Sequence, residues 1–461
     1  MAEAAVSADG QLPAARRARA HRSMGDWVRL LAATNAVTLA INLLTGVISA
    51  RVMGPAGKGV FNGISVWGGV FGSLAGMGVS TGFITAYAKA DPDDRPGLVR
   101  AGLALTIFWG VLGSLAVYFI EPRLVGHLAP GAATWARLQS PLVLLSVVSG
   151  MGSAILAVTQ RFGSLNWLGF ARTVLYAAAV SGLALVAHLG PYSLLGVSWV
   201  LGAAGAVLLL AVACPGVVRA GWLRLRDLGM LSGLGIRFYS LGLLSMFNSQ
   251  LDQMIASAWL TARDMGLYAV AISSMSVMGI MQNAISGVMY PMMAGDDREA
   301  VIARTTRVMR RMMPVFLILL LLTWAGAWPV LTLLYGPAYE GAVKVVLVIA
   351  PTAAFIGGIT IFYQACYALR WFAGPSIGEA VGAGSGAILL ALLIPPWGLT
   401  GAAVAAVVSY ALDFAVVTVF WCRASGTPAR DLVFRWEDVR SLSGEFRRLP
   451  LVSRLLTRGV A

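Results

Sequence analysis

Apolar runs of twenty or more residues recur along nearly the whole chain, separated by short turns rich in Gly, Pro, Arg and Lys. Crossing the ~30 Å hydrocarbon layer as a helix takes ~20 apolar residues, and every backbone polar group must then be satisfied inside that helix. The pattern predicts an all-α polytopic membrane protein, because the alternating ten-residue segments of a membrane barrel are absent. Helices are expected over 27–50, 60–88, 98–120, 140–160, 166–188 and 193–214, then over 231–258, 266–293, 312–335, 342–370, 374–394 and 399–422. About 12 transmembrane helices result.

The two sets of six resemble each other. Sliding the sequence by 207 positions lays Gly59, Val60 and Phe61 on Gly266, Leu267 and Tyr268, with the apolar runs on either side in register. Six is even, so both copies insert the same way and the repeat is parallel, with its axis along the membrane normal. The expected organisation is a basic tail (1–26), a six-helix N-lobe (27–214), a linker (215–230), a six-helix C-lobe (231–422) and a basic amphipathic tail (423–461), with a central cavity between the two lobes.

One face of the first helix is polar: Asn35, Thr38, Asn42, Thr45 and Ser49 step by three and four residues. The repeat places Gly242, Ser245, Ser249, Asp252 and Ala256 on the corresponding face of helix 7, where Asn248 lies one turn before Asp252. Helix 8 adds Ser276, Asn283 and Ser286. Such stripes either hydrogen-bond across tight helix contacts or line a cavity, and the recurrence with an acid favours the cavity. Rows of glycine at four-residue spacing, 68–72–76 in helix 2 and 374–378–382–386 in helix 11, predict close helix packing. Pro291 and Pro351 mark expected distortions.

Composition changes the picture in one respect. Only 12% of the 461 residues are charged and 58% are hydrophobic, yet the net charge is +14. The basic residues do not gather on a soluble domain, so nucleic acid is not an expected partner. With the N-terminus cytoplasmic, only Arg51, Lys58, Arg123, Arg137, Arg263 and Lys344 of the 34 Lys and Arg fall on the opposite side. That asymmetry puts both termini in the cytoplasm. The final tail interleaves arginines with Trp436, Phe446 and Leu449, suited to anionic inner-leaflet lipid or to partial disorder. Cys214, Cys366 and Cys422 lack metal or disulfide spacing.

No catalytic constellation is found. GPAGKG at 54–59 lacks the leading Gly and the trailing Ser or Thr of a phosphate loop, and GAGSG at 382–386 follows no strand. A transporter rather than an enzyme is expected, without metal or cofactor apart from coupling to Na+ or H+. Intramembrane ionisable groups are costly and so become the site candidates. Asp252, Asp413 and Glu379 are candidate ion-coupling groups. Arg29, Arg172 and Arg237 open helices 1, 5 and 7 from the inner side, either as anchors reaching lipid phosphate or as substrate contacts.

ISARVMGPAGKGVFNGIS with a Gly-rich second helix, LDQMIASAWLTARDMGLYAVA, and a helix ending VMYPMMA resemble the polysaccharide flippase branch of the multidrug/oligosaccharidyl-lipid/polysaccharide exporter superfamily. The resemblance spans about residues 27–422. It implies two six-helix lobes in a V around a cavity lined by helices 1, 2, 7 and 8, and the flipping of an undecaprenyl-diphosphate-linked oligosaccharide from the cytoplasmic to the outer leaflet of a bacterial inner membrane. Under that reading Arg29, Arg172 and Arg237 attract the diphosphate, and Asn35, Asn42, Asn248 and Asn283 bond sugar hydroxyls. Lipopolysaccharide or exopolysaccharide biosynthesis is the implied setting, with a polysaccharide polymerase complex as an expected partner. Relatives that flip the peptidoglycan precursor have fourteen helices, and twelve argue against that substrate. Two alternatives stay open: a cation-coupled multidrug exporter of the same superfamily, and a non-transporting scaffold of a synthesis complex.

Overall fold

A computed structural model describes residues 24–76, 78–186, 188–213, 224–293 and 295–434, excluding the side chains of 24–33, 162, 237–245, 247–249, 276–278, 280, 283, 284 and 291. The described residues are helical with short connections and contain no strand. The parts of the expected tails at 1–23 and 435–461, the linker residues 215–223 and Cys214 lie outside the described residues.

Twelve helical passes are found among the described residues. The first helical run, Met24–Gly76, is 53 residues long but holds two of them, α1 (24–53) and the beginning of α2 (55–89). Gly54 separates them at φ 67°, ψ 178°, a conformation in which a Cβ clashes with the backbone and which is close to Gly-only. The chain reverses there. Thr34 near the start of α1 accepts a hydrogen bond from Asn166 in the first turns of α5, and Ile48 and Met53 pack with Val180 towards its other end. After a break at Gly78, Val79–Lys89 completes α2. Gly54→Ala should therefore cost about 1–3 kcal/mol. Thermal unfolding of the solubilised protein checks this, with Gly46→Ala, a helical position open on all sides, expected to leave the midpoint near its original value.

Helices α3 (Arg95–Val125), α4 (Ala132–Val158), α5 (Phe162–Leu185) and α6 (Pro191–Ala213) complete the first six. The second six begin with α7 (Leu225–Trp259), α8 (Ala262–Met293) and α9 (Arg298–Tyr335). Pro351 breaks α10 into Glu340–Ile349 and Pro351–Ala368 with a bend of 42°, the expected consequence of a missing N–H. A second 53-residue run, Ala373–Ser425, holds α11 (373–397) and α12 (399–425) around Gly398, at φ 51°. A Cβ on Gly401 would meet the Leu393 carbonyl at 2.1 Å, which requires a hairpin there. By length and composition, seven of the described runs are apolar enough to cross a membrane, or eight counting the bent pair as one. The protein is a multi-pass membrane protein.

Three helices, α4, α7 and α9, start six or more residues before the predicted positions. For α9 the reason is an amphipathic extension: Val301, Thr305 and Met309, four residues apart, are buried. The apolar run that marks the span begins only after this stretch. For α7 the reason is tertiary. Leu228, Leu231 and Leu234 pack with Phe83, Ala86 and Leu98 of α2 and α3, and Arg224 pairs with Asp94 at 2.6 Å. The inner half of α7 thus rests on the first six helices, while Leu251, Ile255 and Ala256 pack among α8 and α10–α12. The glycine rows pack as expected at Gly72 against Ser146, and at Gly374 and Gly378 against Phe420 and Val417.

Candidate functional site

The two copies of the repeat meet at the far end from the basic loops. A Cβ on Gly59 would stand 1.7 Å from the Ala262 carbonyl oxygen, and one on Gly266 would stand 1.8 Å from the Pro55 carbonyl oxygen. Pro55 and Ala262 are themselves 207 positions apart, as are the glycines. The contact is self-complementary about a pseudo-twofold axis, like an isologous dimer interface within one chain. Only glycine permits this approach of α2 to α8.

Further hydrogen bonds surround it. The Tyr339 hydroxyl, between α9 and α10, donates to the Ala50 carbonyl of α1 at 3.0 Å. In the other half, the His127 ring between α3 and α4 stands 3.2 Å from the Leu260 carbonyl after α7. Trp67 Nε1 donates to Ser257 Oγ at 2.9 Å, and the buried Lys58 ammonium donates to Ser49 Oγ at 3.2 Å. The ends of α1, α2, α7 and α8 at this side are therefore locked together. The polar stripe of α1 follows suit: Asn35 and Asn42 are exposed, whereas Thr45 and Ser49 are buried.

Each half carries an open cavity. The first, about 530 Å³, lies among α2, α4, α5 and α6 and is lined by Gly68, Gly72, Gln139, Ser146, Arg172 and Trp199, among others. None of its lining residues is acidic. Arg172 lies ten residues from the start of α5, about 15 Å at 1.5 Å per residue. It therefore lies near the middle of the helix and not in its first turns, because α5 begins four residues earlier than its apolar run suggests. The second cavity, about 460 Å³, lies among α8, α10, α11 and α12, the repeat equivalents of the first set. Glu379 and Asp413 both line it, with Gln282, Tyr363 and Tyr410. Tyr363 Oη lies 3.2 Å from Asp413 Oδ1 and 3.1 Å from the Pro375 carbonyl.

Arg172 and Glu379 are 207 residues apart. The same structural position thus carries a cation in one half and an anion in the other. This inversion is visible in the sequence once the register is extended to helices 5 and 11, a comparison the polar stripes of helices 1 and 7 alone do not make.

The other predicted residues disperse. Asp252 does not line the second cavity with Glu379 and Asp413. It accepts from the Tyr268 hydroxyl of α8 at 3.0 Å and from the Gln253 N–H at 2.8 Å, tying α7 to α8. Arg29, Arg237, Asn248 and Asn283 lie on α1, α7 and α8, but their side chains are outside the described residues. One residue escaped sequence reasoning altogether. Glu121, placed one residue beyond the predicted third helix, is inside α3 and fully buried, and Gln139 Nε2 donates to its Oε1 at 2.6 Å. An acid beside a proline, in IEPR, reads as a turn, and only the packing of α4 over it shows otherwise.

Solved structures share this architecture at low sequence identity. One titled as the lipid II flippase MurJ in an inward closed conformation aligns over 87% of this chain and 89% of its own, with TM-score 0.72 and 12% identity. An inward-facing multidrug resistance MATE family transporter of the MOP superfamily aligns over 84% and 94%, with TM-score 0.67 and 13% identity. An outward-facing structure of a transporter so described aligns over 85% and 93%, with TM-score 0.52 and 12% identity. The fold is thus that of MurJ and the MATE transporters. No curated sequence is significantly similar to the chain. The sequence profile described as "Polysaccharide biosynthesis protein" matches residues 48–344, well over half of the chain, and the protein belongs to that family.

Proposed function

We propose that the protein flips a lipid-linked oligosaccharide, carried on undecaprenyl diphosphate, from the cytoplasmic to the outer leaflet of a bacterial inner membrane during lipopolysaccharide or exopolysaccharide synthesis. The observation that carries this reading is the first cavity, which presents one arginine from the middle of α5 among neutral hydrogen-bonding groups and, among the described residues, no carboxylate. An arginine held in the membrane interior needs a compensating partner, and a diphosphate or an acidic sugar supplies one. Family membership in polysaccharide biosynthesis supports the same class of cargo. Both termini lie in the cytoplasm in this reading, by the charge of the loops. Arg29 and Arg237 draw the diphosphate in, and Asn35, Asn42, Asn248 and Asn283 bond the sugar along the central path. The basic tail rests on anionic inner-leaflet lipid, and a polymerase complex receives the product.

The second cavity serves coupling. Glu379 and Asp413, both at least 95% buried, share it with tyrosine hydroxyls and glutamine side chains, an oxygen-rich set suited to Na+ or H+. Asp252 adjoins this site through Tyr268 and through Tyr410, which interacts with both Asp252 and Asp413. That acidic cavity is also what a cation-coupled multidrug exporter would need, so the exporter is the second reading.

Deletion of the gene separates the two. Loss of surface polymer with accumulation of lipid-linked intermediates is the expected result, reversed by the intact gene. Unchanged polymer together with new sensitivity to cationic drugs would establish the exporter instead.

A further inference from the structure

The first cavity has a hydrogen-bonding polarity, and a buried acid sets it. Gln139 is 3% exposed. Its Nε2 donates to the Ile64 carbonyl at 2.8 Å and to Glu121 Oε1 at 2.6 Å, which uses both N–H groups of the amide. Turning the amide over would bring its oxygen against two acceptors, so the network permits one orientation only. The atom that remains for the cavity is Gln139 Oε1, an acceptor. Gly68 leaves room for it, since a Cβ there would fall 3.0–3.1 Å from the amide atoms.

Two serines of the wall have the same bias. Ser146 donates its hydroxyl to the Val143 carbonyl at 2.8 Å and Ser198 to the Leu195 carbonyl at 2.7 Å, leaving lone pairs for a ligand. Arg172 is the cationic donor in the wall, and Trp199 supplies an aromatic ring, with an indole N–H of its own, held against Trp135 at 5.2 Å. Acceptors on several sides, one cationic donor and an aromatic wall fit a ligand that brings its own hydroxyl donors and an apolar C–H face. A pyranose has that chemistry, whereas an organic cation would meet Arg172.

Glu121 explains itself only through this arrangement. It is 0% exposed, its Oε2 has no hydrogen-bond partner, and no cation stands beside it among the described residues. Arg123 and Arg137 are exposed, and Lys58 is engaged with Ser49. A leucine would pack there without leaving a polar oxygen unsatisfied. What the carboxyl supplies is the second acceptor that holds the Gln139 amide.

We propose that the cavity among α2, α4, α5 and α6 is a saccharide subsite that reads the first sugar of the lipid-linked cargo, with Gln139 as the specificity-determining acceptor and Glu121 as its positioning residue. The proposal rests on the flippase reading and adds to it the place and polarity of sugar recognition. The test is native mass spectrometry of the full chain in nanodiscs, titrated with undecaprenyl diphosphate and with undecaprenyl diphosphate bearing one hexose. Wild type should favour the glycosylated lipid about tenfold, the order of one well-placed hydrogen bond. Glu121→Leu should bring the ratio to about one without changing affinity for the bare diphosphate lipid. Glu121→Gln, whose amide oxygen still accepts from Gln139, should retain the preference. The pair Glu121→Leu with Gln139→Leu removes both buried polar partners together, so it should fold and still lack the preference. A wild-type ratio in the leucine variants, or equal binding of both lipids by wild type, overturns the subsite alone. Binding of neither lipid by wild type overturns the flippase reading and the subsite with it.

Discussion

Gly59→Val is expected to open the outer face and to reduce polymer export by at least about tenfold. The Cβ of any residue at 59 would lie 1.7 Å from the Ala262 carbonyl oxygen, which is backbone and has no rotamer to yield. Relief requires α2 and α8 to separate, and their separation removes the lock in which Tyr339 reaches Ala50 and Trp67 reaches Ser257. Because close-packed interfaces switch between discrete arrangements, the cost falls on the closed state as a whole. Gly266→Val should act alike, since its Cβ meets Pro55 in the reciprocal contact. The double variant should lose little more than either single one, as both act on the same contact. Cysteines at Pro55 and Ala262, in a chain whose three native cysteines are replaced, report the closure directly. Oxidative cross-linking should form efficiently when Gly59 is retained and fall in the Gly59→Val variant. Unchanged cross-linking and export would remove this contact from the transport cycle.

The second large effect is expected at Asp413. Asp413→Asn keeps the side-chain shape and leaves Oδ1 as an acceptor for the Tyr363 hydroxyl, now 3.2 Å away, while deleting the charge. If the second cavity couples transport to a cation, export should fall by at least about tenfold with normal amounts of protein in the membrane. Glu379→Gln should do the same, and the two losses should not multiply, because both groups line one cavity. Export in cells, accumulated lipid-linked intermediates and immunodetected protein supply the readouts. Normal export by Asp413→Asn would leave the acidic cavity a packing feature.

These two predictions come from different depths of the fold, and their legibility in the sequence differed accordingly. The Gly59–Gly266 correspondence was plain from the 207-residue repeat, but a repeat says only that two positions are equivalent. It does not say that they touch. Asp413 and Glu379 were both evident as costly charges in apolar helices, yet they stand 34 positions apart on separate passes. Their common cavity depends on how α11 and α12 fold back at Gly398. Arg172 shows the converse case, in which a short apolar run underestimates a helix and places a mid-helix residue near its end. Glu121 was missed because burial across helices has no local signature.

What the sequence determined by itself was everything that depends on spacing along one chain. Helix length against bilayer thickness, the twelve passes, the parallel repeat and the bend at Pro351 follow from local chemistry and periodicity. Tertiary structure alone decided which helix faces meet. It placed the N-terminal half of α7 on α2 and α3, set Asp252 against Tyr268 beside the cavity of the other two acids, and paired Glu121 with Gln139. The physical reason is that hydrophobicity inside a bilayer distinguishes lipid from protein poorly, so the choice of neighbours rests on shape and hydrogen bonds. Those are properties of two surfaces together, and a single helix read alone carries half of each.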